Sequence, residues 1–126
     1  MKRSVIATSI ALVLIGFSVW ALLNRQLIQD WMTVRRYTPS AQVSGLSQRT
    51  VMTKAGTFIF YASEPAVDDA RTFNIHCGRQ EAATAIIGCY TEGRIYIYQV
   101  DSKELDGIQE VTAAHEMLHA VWVRMS

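Results

Sequence analysis

The chain has 126 residues, half of them apolar and 18% charged, with a formal net charge of +1. This balance describes one small folded domain plus an apolar leader, with no low-complexity tract. Setting aside Lys2 and Arg3 leaves ten basic and eleven acidic residues and no basic run, so nucleic acid is not an expected partner.

The first element is Val5 to Leu23, nineteen residues without a charge, long enough to cross the hydrocarbon core of a bilayer. Lys2 and Arg3 give it the short basic start of a signal sequence, and Val19 and Ala21 resemble the small-residue pattern of a cleavage site. Trp20 and the length of the run favour an anchor that is kept, so residues 1–23 are expected to hold the chain in the cell membrane as a single-pass segment. Arg25, Arg35 and Arg36 nearly balance Lys2, Arg3 and the amino terminus, and positive charge alone does not orient the span.

Residues 24–56 read as a helical connector. Asn24 to Tyr37 carries Leu27, Ile28, Trp31 and Val34 at roughly helical spacing. Trp20 and Trp31 suit a membrane interface and ordinary packing equally well. Pro39 breaks the pattern, and Ser40 to Ser47 suits a short helix.

Residues 57–126 are expected to form a small α+β domain. Thr57 to Ala62 has the Phe, Ile and Tyr density of a strand, ended by Glu64-Pro65. Val67 to Phe73 reads as a weak helix in which Asp68 and Asp69 are first-turn charges rather than a catalytic pair. Ala85 to Tyr90 and Arg94 to Val100 flank Thr91-Glu92-Gly93, a three-residue loop with glycine for a left-handed position, which predicts a hairpin. Within it, alternate residues of Ile95-Tyr96-Ile97-Tyr98 face opposite sides, one of them towards the following helix. The tyrosines are expected to pack, with oxyanion stabilisation as the alternative.

Cys77 and Cys89 have eleven residues between them, and an even pair after the span is compatible with a disulfide in an oxidising compartment, hence with an extracytoplasmic domain. Two buried thiols are the alternative. Zinc ligation is disfavoured because neither cysteine belongs to a Cys-x-x-Cys pair.

The chemistry concentrates in His115-Glu116-Met117-Leu118-His119, which holds two of the three histidines in the chain. Residues four apart share a helix face, so both imidazoles can bind one metal ion while Glu116 flanks the site. The run Thr112 to Val121 is uncharged except at the motif, as for a metal-binding helix buried beneath a cleft. Asp106 with Gln109 three residues on suggests a capping box that starts this helix at about Gly107. The bland alternative is a core helix whose histidines satisfy local hydrogen bonds, at the cost of burying two imidazoles and a carboxylate without a metal.

Catalytic zinc takes three protein ligands and leaves the fourth position to water. Two are visible, His115 and His119. The subclass with a glycine three residues and a histidine six residues beyond the second ligand is excluded, because Trp122 and Met125 stand there. His76, alone beside a cysteine, reads as structural or surface. The third ligand is therefore unknown, and with Ser126 only seven residues beyond His119 it is expected further on, as a Glu or Asp of a later helix.

Several segments carry a family resemblance: Asn24-Arg25-Gln26 with Asp30-Trp31, Phe60-Tyr61-Ala62 to Pro65, Phe73-Asn74 with Cys77, Gly88-Cys89-Tyr90, and Leu105-Asp106-Gly107 through Val111 to Ala120. In these the chain resembles bacterial membrane-anchored proteins similar to zinc metalloproteases. The resemblance implies a zincin-like fold with His115 and His119 as Zn²⁺ ligands and Glu116 as base. It departs at Val121 to Ser126, where similar proteins continue with an acid and Arg-Leu. A membrane-anchored zinc metallopeptidase acting on a peptide or protein substrate is thus the leading expectation. A non-catalytic anchored binding or assembly module and a non-peptide metal-dependent hydrolase are the alternatives.

Overall fold

The computed structural model describes residues 2–78 and 86–125, with side chains from residue 6 onward. Ala85, the first residue of the expected hairpin, and the terminal Ser126 lie outside them. The described residues form an α+β arrangement of six α-helices and one small sheet. Helix α1, Lys2–Leu23, holds an 18-residue window, Ile6–Leu23, of mean hydropathy 2.3 with none of it buried. It is long and apolar enough to cross a membrane, a property that a signal sequence shares.

Helix α2, Arg25–Arg36, follows after the single residue Asn24. The Asn24 N–H donates to Trp20 O at 3.0 Å and Ile28 N–H to Asn24 O at 3.1 Å, so helical hydrogen bonding passes through the junction. The expected connector helix is present, and Arg35 lies 3.8 Å above the Trp31 ring. Helix α3, Ala41–Arg49, matches the expected short helix and begins at Ser40, whose hydroxyl accepts from Val43 N–H at 3.3 Å.

Two expected elements between Thr57 and Phe73 are corrected. Thr57 to Ala62 is not a strand but most of helix α4, Lys54–Ala62, capped by Thr53, which accepts from Gly56 N–H at 3.1 Å. Gly56 and Phe60, four apart, are its buried face, and packing against its neighbours overrides the strand preference of Phe58, Ile59 and Tyr61. Val67 to Phe73 is likewise split. Ala66–Asp68 is strand β1, and helix α5, Ala70–His76, starts only after Asp69, whose carboxylate caps it by accepting from Thr72 N–H at 2.8 Å. That cap holds the exposed Asp69 carboxyl below its usual range. Only Asp69 is a helix-start charge: Asp68 lies in the sheet, where burial raises its carboxyl and the neighbouring Asp69 charge adds to the rise.

Strand β2, Gly88–Thr91, and strand β3, Arg94–Tyr98, form the expected hairpin, in sheet order β1-β3-β2, with β1 parallel and β2 antiparallel to β3. Thr91 pairs with Arg94, so the loop is two residues rather than three. Glu92 and Gly93 have φ of 51° and 81°, the two left-handed positions of a twisted two-residue turn. A short 3-10 turn at Lys103–Leu105 precedes helix α6, Ile108–Met125. The Gln109 amide does not complete a capping box; it donates to Tyr98 O at 3.1 Å and ties α6 to the end of β3.

The sheet has two unlike faces. Ile95 and Ile97 pack with Val43, Leu46, Phe60, Ala113 and Ala120, drawing α3, α4 and α6 into the main core. Tyr96 turns the other way, to Phe73 and Cys77, with Cys89 and Tyr98 beside it. The predicted alternation is therefore observed, and the tyrosines of β3 face α5 rather than α6. That placement removes them as oxyanion groups for the motif. Cys77 and Cys89 are joined in a disulfide, with Cα atoms 5.9 Å apart, fastening the end of α5 to β2.

Candidate metal and acid–base site

Small residues dictate how α6 seats. Thr112, Ala113, Glu116 and Ala120 are its buried positions, and their short or slender side chains let the helix approach the sheet closely. The larger apolar side chains, Val111, Leu118 and Trp122, are left exposed together with His115 and His119. The expectation of a motif helix buried beneath a cleft is thus corrected. One face of the uncharged run is buried, and the face that bears the histidines is open, in a shallow groove lined by His115, Leu118, His119 and Trp122.

The two imidazoles meet as the helical spacing requires. Their Nε2 atoms are 3.1 Å apart, and the rings stand edge to face with centroids at 4.7 Å. Two nitrogens bound to one tetrahedral zinc at about 2.0–2.1 Å lie roughly 3.3 Å apart. The observed separation falls within a few tenths of an ångström of that, and it is also the length of a hydrogen bond from one ring N–H to the other ring nitrogen. The pair fits zinc. Among the described residues no third His, Cys, Asp or Glu joins it. His76 is engaged elsewhere, stacked on Tyr96 with ring centroids 4.2 Å apart.

Glu116 lies one residue round the helix from His115 and points under the sheet. Tyr98 N–H donates to Ile87 O at 2.7 Å, and in this antiparallel register the N–H groups of Gly88 and Tyr90 then face outward from the free edge of β2. The Tyr90 N–H is close enough to the Glu116 carboxylate to favour its charged form. Burial raises the Glu116 carboxyl above its ordinary value, and the charges of His119 and His115 and the Tyr90 N–H oppose the rise without cancelling it.

Gly88 makes this close approach feasible. A methyl group added there would collide with Thr112 Cγ2 and come within 3.0 Å of Glu116 Cγ and 3.1 Å of Glu116 Oε1. Gly88→Ala is therefore expected to cost about 1–3 kcal/mol by overpacking, read as a lower urea midpoint. Adding Thr112→Ser, which removes Cγ2, should recover part of the loss. An unchanged midpoint in Gly88→Ala would show that β2 and α6 are not in tight contact.

A second constellation escaped the sequence reading. Asp30 of α2 is buried and receives Arg124 of α6 in a two-pronged ion pair, Nε to Oδ2 and Nη2 to Oδ1, both at 2.8 Å. The Gln26 amide also donates to Oδ1 at 2.9 Å. Arg124 Nη1 donates to Ala120 O at 2.9 Å and approaches Tyr90 Oη at 3.5 Å. Burial works against the guanidinium charge, but Asp30 more than offsets it and holds Arg124 above its usual value. The one local hint was a lone cation in the apolar turn Val121 to Met125. Nothing local points to a partner 94 positions away.

Comparison with protein-family models, curated proteins and solved structures finds no match. The functional reading therefore rests on the geometry of these residues alone.

Proposed function

We propose that this chain is a membrane-anchored zinc metallopeptidase with a zincin-like domain. The observation that carries the reading is the His115–His119 pair, with Nε2 atoms 3.1 Å apart on an open helix face, next to a buried carboxylate one residue along. His115 and His119 hold the metal as neutral imidazoles. A zinc ion there supplies polarisation of the scissile carbonyl and acidification of a water. Glu116 accepts a proton from the attacking water and returns it to the leaving amine. A carboxyl raised by burial suits both steps better than an ordinary one, because a base that must next act as an acid works best when its pKa approaches the working pH.

Anchoring through α1, with the domain outside the cytoplasm, is supported by the Ile6–Leu23 window and by the Cys77–Cys89 disulfide. A second reading, a non-catalytic anchored binding module, is favoured by one observation: no third ligand joins the pair among the described residues.

The test is hydrolysis of an unstructured protein such as casein by the chain extended beyond Ser126 to a later helix with an acidic third ligand, purified in detergent. Cleavage should stop on chelation and return with zinc but not with magnesium. Cleavage that persists after chelation would overturn the metal-dependent reading. No cleavage by the zinc-loaded extended protein would favour the binding module.

A further inference from the structure

The way α2 joins α6 fixes where the domain sits. Helical hydrogen bonding continues through Asn24, so no slack linker separates α1 from α2. Asp30 is seven residues beyond Leu23, which at 1.5 Å per residue is about 10 Å along the helix. There it is locked to Arg124, in the last turn of α6. Arg124 also borders a hollow with Leu23, Asn24, Leu27, Ala55 and Phe58, so the end of α6 lies beside the last residue of the apolar helix.

This edge of the domain is unusually apolar for a surface in water. Leu23 and Leu27 are exposed beside this hollow, and on the last turns of α6 so are Trp122, to 71%, Val123 and Met125, to 78%. Cations accompany them: Arg25 opens α2 and Lys54 opens α4, both exposed. Apolar side chains, a tryptophan and basic residues together are the chemistry of a bilayer's interfacial layer. That layer extends roughly 5–8 Å beyond the hydrocarbon core on each side, a little less than the distance of about 10 Å along the helix that separates Leu23 from the Asp30–Arg124 pair.

We infer that the C-terminal end of α6, with Trp122 and Met125, rests on the lipid headgroup layer beside the point where α1 leaves the bilayer. The occupant of this apolar edge is lipid because Leu23 and Leu27, which border the hollow beside Arg124, continue the exposed apolar surface of α1. The inference rests on α1 being a membrane span. With the proposed peptidase activity it also sets a substrate class. His119 is on the same exposed stripe as Trp122, less than one turn away, so the site would act on peptide segments lying close to the membrane surface.

The experiment uses the full chain in vesicles of phosphatidylcholine and phosphatidylglycerol, some carrying acyl chains brominated near the headgroup. Two single-tryptophan variants are compared. Trp20→Phe with Trp31→Phe leaves Trp122, and Trp31→Phe with Trp122→Phe leaves Trp20 inside the span. Brominated lipid should quench both, and Trp122 should lose its quenching as the bromines are moved deeper into the chain. Quenching of Trp20 with Trp122 unaffected would overturn the inference while leaving the anchor intact. Failure to quench Trp20 would overturn the anchor and the inference with it. Shielding of Trp122 that rises with protein density, without quenching by lipid, would assign the surface to a second copy and overturn the inference as well.

Discussion

Asp30→Ala is expected to produce the largest loss of stability of any single substitution outside the hydrophobic core. The Arg124 side chain is 11% exposed and that of Asp30 8%, so removing the carboxylate strands a largely buried cation without its counter-charge. Breaking a buried pair from one side costs about 3–5 kcal/mol. The pair itself contributes far less than this, because bringing both charges out of water offsets most of their attraction. Asp30→Leu with Arg124→Met should therefore return most of the stability lost in either single variant. Chemical denaturation in detergent of wild type, Asp30→Ala, Arg124→Met and the double variant reads this directly. A loss below about 1 kcal/mol in Asp30→Ala would mean that the pair behaves as a solvated surface bridge.

Glu116→Gln is expected to have the largest effect on function. It keeps the shape of the side chain and a carbonyl oxygen for the Tyr90 N–H, but it cannot take a proton from water. Hydrolysis should fall by roughly 10²–10⁴-fold, the usual contribution of a general base, with zinc retained. The metal-free fold should respond in the opposite direction. Because the folded-state carboxyl is raised by burial, its contribution to stability is fully present below the unfolded value and is lost as pH rises through the folded one. At neutral pH the ionised carboxylate is a liability that glutamine removes, so metal-free Glu116→Gln should unfold at a higher denaturant concentration than wild type. Its advantage should shrink on acidification. A group kept at a cost to the fold is what a working site predicts, whereas a structural Glu116 would make the substitution destabilising.

The sequence disclosed the elements whose signals are local and periodic. The 3.6-residue spacing in Asn24 to Tyr37 and the four-residue spacing of His115 and His119 gave α2 and the convergence of the two imidazoles. Thr91-Glu92-Gly93 gave the hairpin, with a loop one residue too long, and the alternation of Ile95 to Tyr98 correctly divided the two faces of the sheet. Signals that depend on tertiary packing misled. Phe58 to Tyr61 have strand preferences, yet they lie on a helix because Gly56 and Phe60 share a face that the core covers, and Thr53 was its unread cap. Strand β1 is three residues long and parallel to its neighbour, too short to display alternation. The open setting of the histidines and the Asp30–Arg124 clamp depend on which faces meet across distant parts of the chain, and spacing along the sequence carries no record of either.

Zinc binding at His115 and His119 is read by calorimetric titration of the metal-free chain near neutral pH. Saturable, one-to-one binding is expected in wild type and in Glu116→Gln, and none in His119→Ala, with acidification weakening the binding because a protonated imidazole cannot be a ligand. One-to-one binding that survives His119→Ala would place the metal elsewhere and contradict this site, as would wild-type protein that takes up no zinc.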